Sequence, residues 1–228
     1  MAPYREKVPL VCSWPRVKIP DACRGKEIVV GIDEAGRGPV LGSLVYVAAF
    51  WPADENEAMC KLGFDDSKQV STENRDKFFD AIRCHPSIGW VVEELTAEEI
   101  SEEMLRAEPV SLNAISYNAV IRALEIIRDG GRGRVTYNNE GVEQGAGSDE
   151  VPPVVTDVFV DTVGDPEFYK SRLVNALGAD FANFTIEKKA DATYKVVSCA
   201  SIVAKVRACV CVRASKSLVA WLSDKPLP

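Results

Sequence analysis

Ile28-Val29-Val30-Gly31-Ile32 is a β-branched apolar run that ends on two adjacent acids, Asp33 and Glu34. A second such run, Leu44-Val45-Tyr46-Val47-Ala48-Ala49-Phe50, follows after Gly36-Arg37-Gly38-Pro39. Two runs of this kind around a glycine- and proline-bearing turn read as paired strands. The pair constrains the fold more than any other stretch. A strand that is apolar along its length and closes on two charges must carry them to a place where something uses or neutralises them.

The rest of the chain extends that pair. Ser71 reads as the cap of a helix running to about residue 83, and residues 88–94 alternate as a third strand, so the first three strands are expected to be antiparallel. Thr96 with Glu99 makes a capping box, and the seven glutamates between Glu93 and Glu108 read as a solvated face. Leu112, Ile115, Ala119, Leu124 and Ile127 are spaced to bury one side of a helix over 112–128. Residues 129–153 are glycine-rich, polar and too long for an ordinary connection, which predicts a disordered surface insertion. Residues 154–160 then read as a strand ending at Asp161, and 184–187 as another ending near Lys188-Lys189-Ala190-Asp191, with helices between and after them. This order predicts a layered α/β domain whose mixed sheet has three antiparallel strands extended by parallel ones and is flanked by helices. Residues 1–26, proline-rich and aperiodic, read as an N-terminal arm, and 27–228 as the domain.

Composition narrows the function. At 46% hydrophobic and 27% charged, 228 residues make an ordinary globular mix. No apolar run is long enough to span a membrane, and prolines break the N-terminus as a signal peptide, so an intracellular protein is expected. Seven cysteines without a repeating spacing fit reduced thiols. Cys209-Val210-Cys211 has no second cysteine pair, and the single histidine, His85, is far away in sequence, so no zinc site is expected. A net charge of −7 and a pI near 5.0 argue against coating nucleic acid by bulk charge. A local basic stretch survives: residues 187–216 hold seven Lys or Arg against two acids.

In open α/β sheets reactive groups gather beyond the carboxyl ends of strands. Asp33, Glu34 and Asp161 are expected just past such ends, with Asp191 following the last strand. Singly, Asp161 and Asp191 read as caps, and Asp33 and Glu34 as turn residues. Jointly they predict one acidic pocket. Like charges about 4 Å apart repel by roughly 4 kcal/mol at an effective dielectric of about 20, and divalent cations relieve that. Oxygen ligands without His or Cys suit Mg²⁺ or Mn²⁺, and such ions support hydrolysis of phosphodiesters.

Gly31-Ile32-Asp33-Glu34-Ala35-Gly36-Arg37-Gly38-Pro39, Asp66-Ser67-Lys68, the stretch from Phe159 through Asp161-Thr162-Val163-Gly164 to Pro166-Glu167, and Lys189-Ala190-Asp191-Ala192 through Ser198 to Lys205 together resemble the ribonuclease HII family, type 2 ribonuclease H. The resemblance covers about residues 27–207 and is nearest the eukaryotic branch, whose catalytic chain works in a heterotrimer. It implies a ribonuclease H-like fold, an intracellular and nuclear location, and Mg²⁺- or Mn²⁺-dependent cleavage of RNA in RNA/DNA hybrids. It also implies incision 5′ of ribonucleotides embedded in duplex DNA, with two accessory subunits as partners. By the same resemblance Asp33, Glu34, Asp161 and Asp191 hold the ions, and Gly36, Arg37 and Gly38 read the ribose 2′-hydroxyl. The glycines also fit a plain turn. Lys68 matches a phosphate contact, and Ser198, Ser201 and Lys205 are further candidates for backbone contacts or packing.

Two departures stand out. Arg207 is followed by Ala208 where the family carries an acid, and the chain ends at Pro228, where relatives continue with Tyr-Gly-Ser-Gly-Tyr-Pro and further helices. That tyrosine stacks on the sugar at the scissile junction, so its absence predicts weakened discrimination of a lone ribonucleotide. The competing expectation is a catalytically impaired form that binds hybrids or partner subunits. A junction resolvase of the same fold would explain the acids but neither Gly36-Arg37-Gly38-Pro39 nor Asp66-Ser67-Lys68.

Overall fold

The computed structural model describes residues 16–37, 42–63, 72–131, 136–138, 141–143, 151–162 and 164–223. Its strands are β1 (Val17–Lys18), β2 (Glu27–Ala35), β3 (Leu44–Pro52), β4 (Gly89–Leu95), β5 (Thr136–Asn138), β6 (Gly141–Glu143), β7 (Val154–Asp161) and β8 (Asn183–Glu187). Its helices are α1 (Asn56–Cys60), α2 (Thr72–Cys84), α3 (Ala97–Met104), α4 (Leu112–Arg128), α5 (Pro166–Leu177), α6 (Ala190–Thr193) and α7 (Lys195–Ser223).

The main sheet has six strands in the order β1-β4-β3-β2-β7-β8. β2, β3 and β4 pair antiparallel, while β2–β7 and β7–β8 are parallel, as expected of three antiparallel strands extended by parallel ones. Every residue of β3 is buried, which is why its sequence is apolar without alternation. Alternate side chains serve two cores. Ile28, Val30 and Ile32 pack with α4 and α5 residues on one face; Val29, Val45 and Val47 pack with α7 residues on the other. Among the described residues no helix is long and apolar enough to cross a membrane.

Helix ends follow local chemistry. Thr96 accepts from the Glu99 amide while the Glu99 carboxylate accepts from the Thr96 amide, the expected capping box on α3. Ser111 caps α4, which spans the expected residues. Asp165 accepts from the amides of Glu167 and Phe168, and Pro166 opens α5, where its missing N–H costs nothing.

Three expectations need adjusting. β2 continues through Ala35, so Asp33 and Glu34 lie within the strand, because pairing to β3 persists to Ala35↔Val45. Residues 16–26 join the fold: β1 adds an edge strand against β4, and Cys23 is fully buried in the core with Ile19 against it. Within 129–153, β5 and β6 form a hairpin with Tyr137 opposite Val142. The disorder expected of residues 132–135, 139–140 and 144–150 lies outside the described residues.

Candidate active site

β2 keeps its antiparallel partner to the end, whereas its parallel pairing to β7 stops at Ile32↔Val160. The next residue of each strand is an aspartate. Asp33, only 6% exposed, and Asp161, the last residue of β7, therefore flank the point where the ladder opens. Asp191, 2% exposed, enters from α6. One carboxylate oxygen from each of the three lies within 4.8 Å of the others.

Backbone and hydroxyl groups fix these carboxylates. The Glu34 amide donates to Asp33 Oδ1 at 2.8 Å. Asp161 Oδ1 accepts from the amides of Lys189, at 2.7 Å, and Ala190, at 3.3 Å. Lys189 reaches this position with φ of 64°, the sole non-glycine residue with positive φ among the described residues. Ser198, 1% exposed, donates to the carbonyl oxygens of Asp191 and Tyr194, which locks the junction of α6 and α7. Both bonds engage the Ser198 hydroxyl within the fold. Ser201 hydrogen-bonds Asp33, and Lys205 donates to Ser201 Oγ at 2.7 Å.

Burial pushes the Asp33 carboxyl up to about 6, and the Asp161 carboxylate adds to it. The Ser201 hydroxyl, the Glu34 amide and the Lys205 ammonium pull the other way. The donor set is oxygen alone, with no His or Cys among the three. That chemistry fits a hard dication such as Mg²⁺ or Mn²⁺, held by Asp33, Asp161 and Asp191.

Glu34 stands apart from that triad. Successive residues of a strand face opposite sides of the sheet, so Glu34 points away from Asp33. It lines a cleft with Arg37, Tyr46, Asn113 and Tyr169, and Asp161 borders the same cleft. Burial first and then the Glu34 carboxylate push the Tyr46 phenol up to about 12. The four acids expected to share one pocket thus divide into a triad and a fourth acid across the strand, with Asp161 common to both.

Gly36 has φ of +86°, and a Cβ there would lie 2.4 Å from the Ser43 carbonyl oxygen, so the turn alone demands glycine. Arg37, exposed, donates from its guanidinium to Asn113 Oδ1 at the cleft. Gly38 and Lys68 lie outside the described residues. Asn113, Tyr46 and Tyr169 went unread because their places depend on α4 and α5 packing over the sheet, which no local pattern encodes. The amides of Lys189 and Ala190 had a faint signal: a short polar link, Lys188-Lys189, between a strand and an acid.

The family described as Ribonuclease HII matches residues 30–131 and 140–220. A ribonuclease H2 subunit of Homo sapiens is 36% identical over 188 residues, covering 82% of this chain and 55% of that protein. Its Arabidopsis thaliana counterpart is 32% identical over 197 residues, covering 86% and 57%. The chain therefore spans about half the length of the curated relatives it matches. The crystal structure of ribonuclease H2 from Pyrococcus horikoshii superposes with a TM-score of 0.61 at 28% identity, covering 83% of this chain and 76% of that one.

Proposed function

The chain belongs to the ribonuclease HII family, and on that premise we propose that it is a metal-dependent endonuclease of RNA/DNA hybrids that also incises 5′ of ribonucleotides embedded in duplex DNA. The observation that carries this reading is the convergence of Asp33, Asp161 and Asp191 within 4.8 Å where the β2–β7 ladder opens. When bound there, Mg²⁺ or Mn²⁺ supplies Lewis acidity that activates water and stabilises the leaving oxygen of an in-line displacement at phosphorus.

The protein's own groups do the rest. The amides of Glu34, Lys189 and Ala190 aim Asp33 and Asp161 into the site. Ser198 holds the backbone of Asp191, and so the angle at which its side chain approaches. Glu34 supplies a fourth carboxylate from the cleft it shares with Asp161. In the same cleft the turn at Gly36 delivers Arg37 against Asn113, which suits it to lie along the sugar-phosphate backbone. Gly38 with Gly36 and Arg37 reads the 2′-hydroxyl, and Lys68 contacts a phosphate. Two accessory subunits and a nuclear location complete the reading, supported by the likeness to ribonuclease H2 subunits of eukaryotes.

Cleavage of an end-labelled DNA duplex carrying one ribonucleotide, run beside an all-DNA duplex and a long hybrid, tests the proposal. Expected products carry a 3′-hydroxyl and a 5′-phosphate, with the all-DNA duplex intact. A 2′,3′-cyclic phosphate overturns the mechanism, because the 2′-hydroxyl would then be the nucleophile. Retention of hybrid without cleavage in Mg²⁺ or Mn²⁺ would make the chain a binding module instead.

A further inference from the structure

We propose that Lys205, acting through Ser201, sets how tightly the carboxylate triad takes a divalent cation: it is a positioning residue that supplies a resident positive charge, and not a contact to nucleic acid. The inference rests on the reading that Asp33, Asp161 and Asp191 hold the ion.

Ser201 is fully buried on the face of α7 that meets the end of β2, and it hydrogen-bonds Asp33. Lys205 follows one turn later on the same helix face, half-buried, with its ammonium 2.7 Å from Ser201 Oγ. This path runs from the ammonium through one hydroxyl to the buried Asp33 carboxylate of β2. The neighbouring cation on α7, Arg207, faces a different acid: its guanidinium bonds Glu94 at 2.9 and 3.1 Å. Of these two cations, Lys205 is the one directed at the triad.

The consequence is a competition. Before a cation arrives, three carboxylates, two of them buried, repel one another, and the ammonium offsets part of that repulsion. Once a dication is present, the same ammonium repels it. A phosphate contact would behave otherwise: its removal would weaken nucleic-acid binding and leave cation affinity alone. Lys205 is therefore expected to make the metal-free protein more stable and the metal site weaker. The second effect makes the bound cation exchangeable.

The test uses the full chain without nucleic acid, titrated with Mn²⁺ while free Mn²⁺ is followed by electron paramagnetic resonance. Lys205→Met and Lys205→Gln remove the charge, and the second keeps a donor for Ser201. Lys205→Arg keeps the charge. Both neutral variants are expected to bind Mn²⁺ roughly 10- to 100-fold more tightly, the scale of removing one charge within several ångströms of a dication. Their melting temperatures in chelator should fall below wild type, and Lys205→Arg should match wild type in both measurements. Unchanged Mn²⁺ affinity in the neutral variants, with Asp161→Asn losing Mn²⁺, overturns the role of Lys205 and leaves the metal reading standing. Absence of Mn²⁺ binding to wild type overturns both.

Discussion

Asp33 concentrates the cost of the site in one residue. In the metal-free protein burial holds its carboxyl up at about 6, against an ordinary value of 3.8. The folded chain therefore keeps a proton that the unfolded chain has already released. That contribution to stability is complete below pH 3.8 and is lost as pH rises through about 6. The loss is on the order of 2 to 3 kcal/mol. Asp33→Asn, which stays neutral, should gain on wild type by about that amount between pH 4 and pH 7 in chelator. Urea unfolding at both pH values measures it, and a stability gap that does not change with pH would contradict the assignment. Lys189 carries a smaller cost, since a left-handed conformation disfavours a side chain by roughly 1–2 kcal/mol and glycine returns part of that as chain entropy. Lys189→Gly should stabilise the fold by about 0.5–1 kcal/mol in thermal melts, because both amides on Asp161 are backbone groups and persist. The three aspartates were readable because Asp33 and Asp161 each close an apolar run and Asp191 follows the last strand. The separation of Glu34 from them follows from strand alternation, but only once β2 is known to continue through Ala35.

At the scale of elements, the contact between β2 and α7 places the triad. A Cβ on Gly31 would lie 2.3 Å from the Val196 carbonyl carbon, so this glycine lets the backbone of α7 lie directly on the strand. Gly31→Ala must push α7 outward and carry Ser198 and Ser201 with it. It should cost more than about 3 kcal/mol and weaken Mn²⁺ binding together with stability. Full Mn²⁺ affinity in a folded variant would show that α7 does not set the site. Farther along α7, Arg207 reaches Glu94 of β4, which also takes Arg16 at 3.2 Å, the Ser43 hydroxyl and the Cys211 thiol. Burial pushes the Glu94 carboxyl up, but the thiol and the two arginines outweigh it and hold it below its ordinary value. Arg207→Met removes the buried partner and should destabilise by roughly 2–4 kcal/mol, checked by urea unfolding at pH 7. Helices α3 and α4 were legible because their signals are local: the capping box of Thr96 with Glu99, and the apolar stripe from Leu112 to Ile127. The pair of Glu94 and Arg207, 113 residues apart in sequence, was not, nor was β1, whose two residues are strand only because β4 offers an edge. Ala208, next to this arginine, is half-buried against the α7 core.

Across the whole molecule, the triad draws on three separate parts of the fold: β2 at the centre of the sheet, the end of β7, and α6 leading into α7. A cation bound there ties all three together and binds only the folded chain, since no single segment holds more than one member of the triad. Its binding energy is therefore added to global stability, by about 2.7 kcal/mol at roughly 100 times the dissociation constant. For a domain of this size that is a rise of about 5–10 °C in melting temperature. Asp161→Asn should reverse the sign of the comparison. The amide keeps an oxygen to accept from Lys189 and Ala190 but removes one negative charge from the triad, so in chelator the variant should melt above wild type. In excess Mn²⁺ it should melt below wild type, having lost a ligand. The two melting curves, each taken with chelator and with Mn²⁺, should therefore cross. A variant that melts below wild type in both conditions would mean that Asp161 supports the fold in its own right and that the three carboxylates do not strain one another. Crossing would show that the fold bears this strain in order to hold an ion.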